Sequence, residues 1–120
     1  MQENKLTVLL GVGGGIAAYK TIELASLIKK AGYNVFASMT ESACKFVTPL
    51  TFESTTGNIV SSSIFPAKND ANKYNTFPHL YPATETDVYI IAPATANLIA
   101  KIAHGIGDNV VSANALSLPV

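Results

Sequence analysis

The stretch from Leu6 to Ile28 constrains the fold more than any other. It runs LTVLLGV, then three glycines, then IAAYKTIELASLI. A continuous apolar run with β-branched members suits a strand buried on both faces. Ile16, Tyr19, Ile22, Leu24 or Ala25, Leu27 and Ile28 then recur at helical spacing, and Gly32 is a natural helix stop. YNVFASM follows as a second strand. A strand–helix–strand unit of this kind predicts parallel strands joined by a right-handed crossover. The chain is therefore expected to be an α/β protein.

The remainder continues the alternation. TESACKFV opens with Thr40 as an N-cap and Glu41 in a first turn, which predicts a helix. Pro49 starts a second short helix, PLTFESTTG, at a position that needs no N–H. Residues 57–77 read as a long polar loop, with a short edge strand at Ile59 and Val60. DVYIIAP is a third strand, ATANLIAKIAHG a helix stopped by Gly105, and Asn109 to Leu116 another helix. Pro119 and Val120 look like the start of a further strand. A parallel sheet of three strong strands leaves an edge unpaired and an apolar face uncovered. The expectation is one domain over residues 1–120 whose C-terminal part is missing.

Charge and cysteine usage exclude several classes. The formal net charge is zero, and all eight basic residues are lysines, scattered along the chain. No basic patch is available to neutralise phosphates, which argues against nucleic acid. Cys44 is the only cysteine, so no intrachain disulfide forms, in keeping with a reducing compartment. The N-terminal segment lacks the form of a signal peptide, and no run reaches the ~20 apolar residues of a membrane span. A cytoplasmic protein without membrane partners is expected.

Three segments are candidates for chemistry. GVGGGIAAYK, Gly11 to Lys20, joins a strand end to a helix start. Such a junction offers free N–H groups and close backbone approach to an anion or a flavin edge, although a tight turn alone would also explain it. The dinucleotide pattern G-x-G-x-x-G and the Walker pattern are both absent. APATAN, Ala92 to Asn97, also follows a strand, where open α/β sheets bind ligands. Thr95 caps the next helix there, or caps it and binds. His79 is a lone histidine, structural or a base with an ordinary pKa near ~6.5. His104 reads as a helix-end cation, and two distant histidines with no cysteine pair make a poor metal set. Cys44 reads as a small buried hydrophobe.

Taken together, the segments resemble the flavin-binding cysteine decarboxylases, and among them the phosphopantothenoylcysteine decarboxylases of coenzyme A synthesis. GGGIAAYK is similar to the family's TGGIAAYK turn. MTESACKFVTPLTFESTTGNIV resembles its MT-x-x-A-x-x-F-[VI]-[TS]-P-L-T-F segment. HLYPATETD has the spacing of HIELARWAD, and IAPATANLIAKIAHGIGDNVVS is similar to IAPATANTIAKLAHGIADNLLS. The four occur in order and span nearly the whole chain.

The resemblance implies a flavodoxin-like, Rossmann-like three-layer fold that binds FMN and assembles as trimers or multiples of trimers, with FMN at the subunit interface. It implies that Gly14, Gly15 and Ile16 line the flavin, that Thr40 and Phe46 contribute from the second strand and its helix, and that Ala94, Thr95 and Asn97 hold the phosphate side or the ring. His79 becomes the active-site histidine. The implied reaction is a flavin-assisted decarboxylation of 4′-phospho-N-pantothenoylcysteine to 4′-phosphopantetheine. Other readings are a non-catalytic FMN-binding relative or regulatory subunit, or a peptidyl-cysteine decarboxylase. A flavin prenyltransferase is disfavoured by the absence of a TGASG-type turn. The family's P-x-M-N-x-x-M segment and flap cysteine fall beyond Val120, Cys44 is not in the flap position, and Gly13 replaces the usual threonine of the glycine turn.

Overall fold

Val8, Leu10 and Val12 alternate with Leu9 and Gly11 along the first strand, β1 (Thr7–Val12), and every residue after Thr7 is buried. Alternate side chains of a strand leave on opposite faces. A strand that is apolar on both faces must therefore be covered on both. The computed structural model describes residues 5–65 and 81–119 and shows how this is met.

β1 lies at the centre of a three-stranded sheet of order β2-β1-β3, with β2 at Asn34–Met39 and β3 at Val88–Ile91. Both pairings are parallel: Leu10 sits opposite Ala37 on one side and Ile90 on the other. Helix α1 (Ala18–Lys30) makes the connection from β1 to β2, as the periodicity predicts. One face of the sheet carries Val8, Leu10, Val12, Val35, Ala37 and Met39. It packs with Ala18 and Ala25 of α1 and with Phe52 of α2 (Pro49–Thr56). On the other face Tyr89 and Ile91 meet Leu98 of α3 (Ala96–Ala103) and Val110 and Val111 of α4 (Val110–Leu116). The result is a helix–sheet–helix sandwich of the flavodoxin-like kind.

Local chemistry explains the element ends. Gly32 and Gly105 carry φ values of 101° and 71° beyond α1 and α3. This left-handed region is one that only glycine enters without cost. Pro49 is the first residue of α2, and Gly57 closes it at φ 77°. α4 is capped by Asn109, whose Oδ1 accepts the Ser112 N–H at 2.9 Å. Its inner side holds a buried polar pair, in which the Ser38 hydroxyl donates to Asn114 Oδ1 at 2.6 Å.

Two expectations are corrected. The helix expected from Thr40 exists only as one 3₁₀ turn, Ala43–Lys45. Thr40 does cap it, its Oγ1 accepting the Ala43 N–H at 3.0 Å. Pro49 follows too soon for the turn to lengthen, because the residue before a proline avoids the helical region; Thr48 is extended, with ψ 149°. The edge strand expected at Ile59 and Val60 is instead a single parallel bridge between Ser38 and Ser61. The Met39 N–H reaches the Ser61 carbonyl there at 2.8 Å.

Candidate functional site

Three chain segments leave the sheet at its carboxyl end: residues 13–15 after β1, 40–43 after β2 and 92–95 after β3. In the order β2-β1-β3 the chain reverses direction across the sheet between β1 and β3. Open α/β sheets bind ligands in the crevice outside the carboxyl ends of the strands at such a switch point. The glycine turn and the APATAN turn flank it from the two sides.

The glycines allow these segments to touch. A Cβ on Gly13 would run into the Pro93 carbonyl oxygen and would sit 2.9 Å from Leu98 Cδ1. A Cβ on Gly14 would collide with the Ser42 side chain. Gly15 is looser, since its Cβ would lie 3.4 Å from Pro93 Cγ, an ordinary contact. Hydrogen bonds tie the same turns together. The Gly13 N–H donates to the Pro93 carbonyl at 3.1 Å, and the Ala92 N–H donates to the Gly11 carbonyl at 2.9 Å. From α1 the Thr21 hydroxyl donates to the Ala92 carbonyl at 2.8 Å.

Gly14 and Gly15 are half-buried at the rim of the switch point and Ile16 is 79% exposed beside them. Among the described residues, the N–H groups of Gly14, Ile16 and Ala17 meet no backbone acceptor. Ala17 is the N-cap of α1, where helix starts leave donors unpaired, and Gly14 and Ile16 belong to the turn before it. Thr40 is buried, with its hydroxyl oxygen engaged in the cap, while Phe46 is 52% exposed. On the other side Ala94 and Asn97 are exposed, and Thr95 Oγ1 accepts the Leu98 N–H at 3.2 Å. Accepting that bond leaves the Thr95 hydroxyl hydrogen free to donate outward. The 13–15 turn, which carries Gly14 and Gly15, thus meets the turn that carries Ala94 and Thr95 at one strand switch, through Gly13 and Gly15 against Pro93. On the second-strand side it is Ser42, two residues after Thr40, that meets Gly14. His79 lies outside the described residues.

The site also depends on residues that the sequence analysis did not single out: Thr21, Ser42 and Pro93. Thr21 carries a legible signal. It falls on the inward stripe of α1 with Ala18 and Ala25, all three buried, and a polar residue there needs a partner. Cys44 is half-buried against the core. Burial pushes its thiol up from the ordinary value, a hydrogen bond from Ser62 opposes this, and the Glu41 carboxylate adds to the rise. A thiol held in its neutral form is a poor nucleophile, in keeping with the packing role expected of it. Among the described residues no helix is long and apolar enough to cross a membrane.

Known proteins resemble this chain in sequence and in fold. The coenzyme A biosynthesis bifunctional protein CoaBC of Bacillus subtilis is 43% identical over 114 residues, which are 95% of this chain and 27% of that protein. The probable phosphopantothenoylcysteine decarboxylase of Streptococcus mutans is 40% identical over 113 residues, 94% of this chain and 61% of that one. The chain thus spans between about a quarter and three fifths of these relatives. Among solved structures, the FMN-dependent cysteine decarboxylase SpaF superposes with a TM-score of 0.81 at 28% identity, over 95% of this chain and 63% of that one. The family model described as Flavoprotein matches residues 1–118, and the chain belongs to that family.

Proposed function

We propose that this chain forms the FMN-holding part of a phosphopantothenoylcysteine decarboxylase, acting in coenzyme A biosynthesis. The observation that carries the reading is the joining of the 13–15 and 92–95 turns at the strand switch, in a chain 40% identical to a probable phosphopantothenoylcysteine decarboxylase. The residues present fit the cofactor. Gly13 and Gly14 leave no room for side chains and let two strand ends meet. The N–H groups of Gly14, Ile16 and Ala17, which meet no backbone acceptor among the described residues, suit phosphate oxygens or the carbonyl rim of a flavin. The outward hydroxyl of Thr95 and the amide of Asn97 add donors on the opposite side.

FMN, when bound, supplies reversible two-electron redox chemistry, which lets a cysteine carboxylate be lost as carbon dioxide. The chain's own part is binding, orientation and proton handling. Gly14, Gly15 and Ile16 form one wall of the cofactor site, with Ala94, Thr95 and Asn97 as the other. Thr40 and Phe46 close it from the β2 side. His79 takes the substrate carboxylate and manages a proton, a role suited to a side chain that titrates near neutrality.

The reading extends to assembly. Ile16, Tyr19, Phe46 and Leu50 are 79%, 59%, 52% and 67% exposed. Large apolar side chains left in water near a site favour covering by another copy. A homo-oligomer of three protomers or a multiple of three, with FMN at the subunit contact, would bury them.

The test is direct. The native protein is purified and inspected for a flavin spectrum. Phosphopantothenoylcysteine is then added and carbon dioxide followed. Yellow protein with turnover, lost on His79→Asn, is the expected result. Yellow protein without turnover would favour a non-catalytic flavin binder, and turnover only on a peptide ending in cysteine would favour a peptidyl-cysteine decarboxylase. Protein that takes up no FMN would overturn the flavin reading.

A further inference from the structure

The hydrogen bond between Thr21 and Ala92 spans 71 positions of sequence and joins the inner side of α1 to the end of β3. Thr21 is 4% exposed, so its hydroxyl has no access to bulk water as a substitute partner. The next carbonyl, that of Pro93, accepts the Gly13 N–H. Two consecutive carbonyls at the start of the APATAN turn are therefore pinned, one from the first helix and one from the glycine turn. Ala94 and Thr95 follow directly, and Thr95 begins α3 as its cap.

We infer that Thr21 is a positioning residue for the cofactor site, holding the 92–95 turn at the distance from the 13–15 turn at which both face one ligand. The inference rests on the flavin reading above. The start of the turn is also held through Gly11 and Gly13, both on the β1 side, and Thr21 adds the hold from α1 that fixes the Ala92 carbonyl. Without the Thr21 hydroxyl, the Ala92 carbonyl loses its donor and the turn gains alternative positions. Ligand affinity then falls by the fraction of molecules still holding the binding-competent arrangement. The Gly13 bond and the β1–β3 pairing remain, so the sheet itself persists.

The experiment measures FMN affinity of the apoprotein by flavin fluorescence, with the visible absorption and circular dichroism of bound flavin and the apoprotein melting temperature, in Thr21→Val, Thr21→Ala and Thr21→Ser. Loss of one buried hydrogen bond predicts about a five- to tenfold weaker affinity for T21V and T21A, with an altered visible dichroism band. T21S keeps the hydroxyl and is expected to restore affinity and band shape. Wild-type affinity in T21V would overturn the inference. So would a lowered apoprotein melting temperature with unchanged affinity, because that is a purely structural role. Failure of both hydroxyl-free variants to fold would overturn it in the same way. A wild-type protein that takes up no FMN would instead remove the flavin reading, and this inference with it.

Discussion

A methyl group on Gly13 would meet the Pro93 backbone oxygen and Leu98 Cδ1, and the oxygen cannot swing aside without moving the turn it belongs to. Gly13→Ala is therefore expected to destabilise the protein by roughly 1–3 kcal/mol, the usual cost of overpacking, and to weaken FMN binding as well. Gly15→Ala is the control. Its new methyl would stand 3.4 Å from Pro93 Cγ and its φ is not left-handed. Denaturant unfolding of G15A should change by less than about 0.5 kcal/mol, or rise slightly because alanine restricts the unfolded chain. At this scale the site was readable as a pattern rather than as contacts. The glycine run announced close approach, but not that the approaching group is the carbonyl of Pro93, some eighty residues away. Gly13 stands where the family pattern has a threonine, and in this structure a Cβ there would already run into the Pro93 carbonyl oxygen.

Between elements, α4 is held to the sheet by polar bonds set among apolar contacts. The Tyr89 hydroxyl donates to the Val111 carbonyl at 2.7 Å, and Ser38 bonds to Asn114 beneath the same helix. Breaking the second pair with Ser38→Ala removes one hydrogen bond from a buried amide and should cost about 0.5–1.5 kcal/mol in denaturant unfolding. Tyr89 adds a pH dependence. Its ordinary pKa is 10.0, and burial pushes the native phenol well above that. Between the two values the unfolded chain releases a proton that the native chain keeps. The contribution to stability is thus complete below pH 10.0 and is lost as pH rises from there through the native value. Unfolding midpoints compared at about pH 9 and about pH 11 should show a fall in the wild type that is reduced in Tyr89→Phe. Nothing in DVYIIAP distinguishes a tyrosine facing a helix carbonyl from one at a surface, so this bond was not legible. The helix ends at Gly32, Pro49 and Gly105 were legible, because these residues act on their immediate neighbours, whereas the caps at Asn109 and Gly57 were not singled out. The overextended helix at Thr40 shows the limit of such local reasoning: a correct cap was found, and Pro49 shortened what followed.

Over the whole molecule, the βα alternation and the parallel sheet followed from hydrophobic period alone, because β1 must be covered on both faces. What period cannot supply is what covers the outside. Ile16, Phe46 and Leu50 come from three separate segments, the α1 entrance, the end of the 3₁₀ turn and α2, yet all are more than half exposed. In a lone protomer each would be an apolar side chain held in water for no structural return. Assembly around the cofactor site would remove that cost and would make flavin uptake and association two aspects of one event. If so, a charge placed among them should disturb both together. Phe46→Glu leaves the described core untouched, since the side chain is outside it. The wild type is expected to sediment at a multiple of three protomer masses. F46E should shift toward the mass of a single protomer and lose FMN affinity at low protein concentration, with part of the binding recovered as concentration rises. A variant that became monomeric while binding FMN as tightly as the wild type would separate the two events and place the whole flavin site within one chain.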